Sequence, residues 1–100
     1  MFGLIKRKKH EVMDKTVYLE VFGDNRVSYR VISGKINWED SEIITYGVEV
    51  EDSRTGQKEI IDDFSRNIED AVDFAEMLII GRIPPYRLYN RALNYLLISI

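Results

Sequence analysis

His10 is the only histidine of this 100-residue chain, and there is no cysteine. Without thiolates there can be no disulfide, iron–sulfur cluster, cysteine nucleophile or cysteine zinc site, and a lone imidazole cannot build a multi-histidine metal centre. His10 also sits in a basic run, away from the orienting carboxylate and dry pocket that general-base work needs. Carboxylates are the remaining reactive groups. Glu39, Asp40 and Glu42 cluster in one stretch, and Asp62 and Asp63 stand side by side in another, but neither has a calcium-loop spacing. Neighbours in a strand point to opposite faces, so Asp62 and Asp63 read as solvated charge rather than a convergent pair. The six glycines never fall into a dinucleotide or phosphate-loop pattern. No catalytic residue, metal ligand or cofactor is expected.

The charge layout separates three regions. The formal net charge is −3, yet residues 1–15 hold Lys6, Arg7, Lys8, Lys9 and Lys15 against Glu11 and Asp14. Residues 39–76 carry thirteen carboxylates facing Arg54, Lys58 and Arg66, and from Met77 onward there are three arginines and no acid. An acidic body does not favour phosphate backbones, so an anionic polymer or membrane surface could be met only through Lys6, Arg7, Lys8 and Lys9. The longest uncharged apolar run, Met77 to Gly81, is far short of a membrane span. The order of apolar and basic residues at the start is the reverse of a secretory signal, which makes a cytoplasmic address the expectation.

These groups must be positioned by a small fold. Residues 1–15 show neither helical nor strand periodicity and are expected to form a flexible basic arm, with a single domain over 16–100. Thr16–Phe22 alternates with Val17, Leu19 and Val21 on one face; Gly23-Asp24-Asn25 is a turn; and Arg26–Ile32 is the second strand of a hairpin. Ser33–Ser41, with Gly34, Asn37 and Trp38, reads as a loop. In the third strand Ile44, Tyr46, Val48 and Val50 are expected in the core, and Gly47 predicts a bulge or a close approach. Arg54-Thr55-Gly56 turns into a fourth strand over Lys58–Phe64.

Asn67 is suited to cap a helix starting at Ile68, whose apolar stripe is Ile68, Ala71, Val72, Ala75, Leu78 and Ile79. Gly81, Pro84 and Pro85 stop it, and Pro85 opens a second helix. The expected fold is therefore α+β: a four-stranded antiparallel meander followed by two helices packed on one face, ββββαα.

The string Tyr46-Gly47-Val48-Glu49-Val50, Ser65-Arg66-Asn67 at a helix start, and Pro85-Tyr86-Arg87-Leu88 at another resemble a family of small uncharacterised bacterial proteins, a domain of unknown function. Its pattern is Y-G-I in a strand, S-x-D at a helix start and P-x-H-L near the end. The resemblance spans roughly Arg26 to Leu97. This chain departs from it with Asn67 in place of Asp and Arg87 in place of His, so no role of that histidine carries over. The resemblance implies a fold and assigns no activity.

The last helix carries the strongest functional signal. Leu88, Tyr89, Ala92, Leu93, Tyr95, Leu96, Leu97 and Ile100 sweep roughly 200° of its circumference, while one packed interface needs little more than about 100°. The excess suggests a contact surface, with Leu88, Leu93, Tyr95, Leu97 and Ile100 as candidate interface residues and Arg87 and Arg91 at its rim. A non-enzymatic protein–protein interaction or regulatory module, as a homodimer or with another protein, is the expected function. The alternative is a weak nucleic-acid or anionic-membrane binder acting through Lys6–Lys9.

Overall fold

The structure, a computed structural model, describes residues 11–99, and the side chains of residues 11–96. Four strands form one antiparallel sheet in the order of the chain: β1 (Met13–Phe22), β2 (Val27–Trp38), β3 (Ser41–Asp52) and β4 (Lys58–Ser65). They are followed by α1 (Ile68–Ile80), a 3-10 turn (Pro85–Arg87) and α2 (Leu88–Ser99). The expected ββββαα architecture is the observed one. Helix α1 lies across β2 and β3, and α2 lies beside it against β4.

The core forms where the apolar stripe of α1 meets the alternating faces of the central strands. Val27, Tyr29 and Val31 of β2 and Val48 and Val50 of β3 point to the same face and bury against Ala71, Phe74, Ala75 and Leu78. Ile83, Leu88 and Ala92 close the core, and the Phe64 and Phe74 rings stack with centroids 4.6 Å apart. The helix boundaries follow the capping residues. Asn67 Oδ1 accepts from the Glu69 backbone N–H at 2.9 Å, and Gly81 ends α1, although it is Arg82 that takes the left-handed φ of 52°.

Four sequence expectations need correction. Order begins before Thr16: β1 starts at Met13, and Val12 is only 9% exposed, lying over Gly34. A bulge at Val17/Leu19 then breaks the expected face of β1, pairing Val17 with Ile32 on one side of the sheet and Leu19 with Val31 on the other. The supposed loop over Ser33–Ser41 is continuous ladder, with Ile36 opposite Ile43, and the reversal is a two-residue turn at Glu39 and Asp40, both at positive φ. Gly34 reads as a breaker but is a strand residue, because a side chain there would collide with Val12 and crowd the Met13 carbonyl.

The fourth concerns β3. Val48 and Val50 are buried and Tyr46 is half-buried against the core, as expected, but Ile44 is exposed. The β2–β3 hairpin runs past the last β4 pair at Tyr46–Ser65, so Ile44 lies beyond that end of the sheet. On the opposite face Ile32, Ile36 and Thr45 are buried, so this end of the sheet is covered on that face while Ile44 stays open on the other. Gly47 is the close approach its sequence position predicted: a Cβ there would fall on the carbonyl oxygens of Ile61 and Asp62, where the β3–β4 register shifts.

Candidate functional site

The residues singled out in the sequence divide sharply in the structure. Leu88 is fully buried and Tyr95 packs against the core, its ring 5.3 Å from that of Phe74 and 5.8 Å from that of Phe64. Both are therefore corrected from interface to core. Leu93 is 60% exposed, Arg87 is exposed, and Arg91 is half-buried with its Nε out of solvent and unpaired among the described residues. Leu97 lies within α2, and Ile100, Lys6, Arg7, Lys8 and Lys9 lie outside the described residues, as does His10. The basic arm is thus not placed by this structure, apart from Lys15, which belongs to β1 and bonds Asp62 Oδ2 at 3.1 Å.

What the sequence missed is where the excess apolar arc of α2 points. Leu88, Ala92 and Tyr95 face the core. Tyr89, Leu93 and Leu96, one to two turns apart, lie on the side turned toward β4. There they wall a groove of about 270 Å³ whose other lining comes from Ile61, Asp63 and Phe64 of β4 and from Ala92. Tyr89 and Leu96 are 51% and 44% exposed, so the groove is open and its walls are wet. The Tyr89 hydroxyl donates to the Ile60 carbonyl at 2.6 Å, tying α2 to the backbone of β4 beside the groove. No signal short of tertiary placement could have named Ile61 and Phe64 as partners of α2.

Charge around the groove is one-sided. Strand β4 presents Glu59 on the face of Ile61, and Asp63 lines the groove itself. Asp63 accepts from the Thr45 hydroxyl, and among the described residues neither carboxylate is in an ion pair. Asp62 binds Lys15 through Oδ2 and keeps Oδ1 buried with no partner among the described residues. On the α1 side of α2 the Tyr95 phenol is held above its ordinary pKa by burial, reinforced by Asp70 and Asp73.

The remaining polar clusters are structural. Arg30 bridges Glu20, Glu49 and Glu51 across three strands on the face away from the helices. Burial lowers the guanidinium's pKa, but the hydrogen bonds it donates to Glu20, Glu51 and Glu49 outweigh that and hold the group above its ordinary value. Asp52 accepts from the Arg54 side chain and backbone in the β3–β4 turn, and that hydrogen bonding holds its carboxyl below the usual range. The acidic trio Glu39, Asp40 and Glu42 lies at the exposed hairpin end. Among the described residues no group of three metal-ligating side chains converges, and no helix is long and apolar enough to cross a membrane.

Neither a curated protein nor a solved structure matches the chain. A family model does, over residues 8–92, which takes in all four strands, α1 and the first residues of α2. The chain belongs to the family of unknown function DUF6514.

Proposed function

We propose that this protein is a non-enzymatic interaction module that binds another protein chain through the groove between α2 and β4. One observation carries the reading: Tyr89, Leu93 and Leu96 expose three large apolar side chains side by side over a groove whose opposite wall, Ile61 and Phe64, is also apolar. Surface apolar residues scattered singly are ordinary, whereas a contiguous set bordering a concave, polar-rimmed floor is the form of a docking site. The edge of β4 beside it could add a strand, since α2 covers only part of it.

A homodimer is the self-paired form of this reading, favoured by the contrast between Arg87 and Arg91 on α2 and the acidic outer face of α1, Glu69, Asp73 and Glu76. Direct pairing of β4 with its copy is disfavoured, because it would bring Glu59, Asp62 and Asp63 of two chains together. A bacterial, cytoplasmic protein is proposed with it; the family resemblance supports the first, and the lack of cysteine does not contradict the second.

The test is light scattering of the full chain over a concentration series, followed by affinity capture from its native cells, each repeated with Leu93→Glu. Loss of association with an unchanged melting temperature supports the groove. A strict monomer whose captured proteins are the same with and without Leu93→Glu rejects it.

A further inference from the structure

Strand β1 is the edge of the sheet opposite the groove, with β2 on one side and, among the described residues, no strand on the other. Every residue of it except Val21 is exposed, and Val17, Tyr18 and Phe22 are 56%, 61% and 74% open to solvent. An unpaired row of backbone N–H and C=O groups lined with apolar side chains is a template for a further strand. Between Thr16 and Phe22 the single charge is Glu20, and Arg30 of β2 binds it.

The strand is complementary to itself. Lys15 and Glu20 lie at equal distances from a midpoint between Val17 and Tyr18. In an antiparallel pair with Val17 opposite the partner's Tyr18, each Lys15 therefore stands opposite the partner's Glu20. In a regular strand two residues five positions apart point to opposite faces and do not meet in this way. The bulge at Val17/Leu19 removes the obstacle by adding one residue. Thr16 opposes Ser33 and Leu19 opposes Val31, which share the helix face of β2. Lys15 meets Asp62, and Glu20 meets Arg30, on the face away from the helices. Across the joint Arg30, Glu20, the partner's Lys15 and the partner's Asp62 then alternate in sign. The other edge pairings lack this match. Strand β4 against its copy brings acids together, and β1 against the partner's β4 leaves a free edge at each end and does not close.

We propose that two copies of the chain join along β1, antiparallel about a two-fold axis between Val17 and Tyr18, merging two four-stranded sheets into one with all the helices on one face. The grooves between α2 and β4 stay open at the two outer edges, so this association is independent of partner binding there. The paired stretch, residues 14–21, is short for a specific interface, which makes the dimer concentration-dependent.

Sedimentation and amide exchange of the full chain over a concentration series test the joint. The alternate amides of residues 14–21 that face solvent in a single chain should gain protection as the dimer forms. Lys15→Glu and Glu20→Lys each set like charges opposite one another, and each variant alone should be monomeric. An equimolar mixture of the two, in which every facing pair is again opposite in sign, should associate as the parent does. Leu93→Glu should leave the association intact. Exchange of the β1 amides that is the same at every concentration overturns the proposal, whether fast, from an open edge, or slow, from an edge covered by the chain's own residues 1–10. So does a dimer that Leu93→Glu abolishes, as do folded single variants that dimerise like the parent or whose mixture stays monomeric.

Discussion

Tyr29 joins two distant parts of the chain through one hydroxyl. It is 2% exposed, donates to the Ile83 carbonyl at 2.9 Å and accepts from Asn25 Nδ2 at 3.3 Å, so the β1–β2 turn is pinned to the loop that launches α2. Tyr29→Phe keeps the ring but orphans a buried carbonyl, and should lower stability by about 1–2 kcal/mol in a urea titration. Burial holds the Tyr29 phenol above its ordinary pKa of 10, with the Asn25 hydrogen bond opposing the shift. A raised folded pKa means stability fully present below about pH 10 and lost as pH climbs through the folded value. Alkaline unfolding followed by tyrosinate absorbance should therefore show phenols titrating together with loss of structure, and Tyr29→Phe should make that loss less steep.

Gly47 makes the opposite point at the same scale. A side chain there would strike backbone oxygens that cannot rotate away, so Gly47→Ala should force β4 off the sheet or shift its register. Loss of amide-exchange protection concentrated in β4 would show it; uniform protection would mean that the strand gives way without cost. The sequence marked this glycine correctly, since a residue with no side chain in a strand interior has few other uses. It could not say that the approaching group was the β4 backbone.

At the scale of elements, α2 shows why helical periodicity identifies surplus apolar surface without saying which side is surplus. Leu88 and Leu93 are both leucines on the same arc, yet one is fully buried and the other 60% exposed. Leu88→Ala should cost about 2–5 kcal/mol through the cavity it leaves, whereas Leu93→Ala should lie within about 0.5 kcal/mol of the parent. Equal effects in thermal or chemical denaturation would contradict the placement of α2. Strand β1 shows the complementary failure. Its alternation is real, but two register shifts rotate part of it, and an edge strand that neither helix reaches has little core to face.

For the whole molecule, the boundary between arm and domain is decided at Val12. Its side chain is buried over Gly34 at the end of the sheet that the helices leave uncovered. Val12→Ala should cost about 1.5 kcal/mol, the worth of two buried methyl groups. A melting temperature equal to that of the parent would return Val12 to the arm. The sequence by itself determined the element order, the antiparallel meander, the Asn67 cap, the Gly81 stop and the absence of thiol and multi-histidine chemistry, because these depend on local periodicity, capping chemistry and composition. Only the tertiary structure decided that Leu88 and Tyr95 belong to the core, that β2 and β3 continue to a turn at Glu39–Asp40, and that β4 supplies the second wall of the groove. The reason is physical: pairing register and burial depend on which surfaces meet across the sheet, and residues far apart in the chain settle that together.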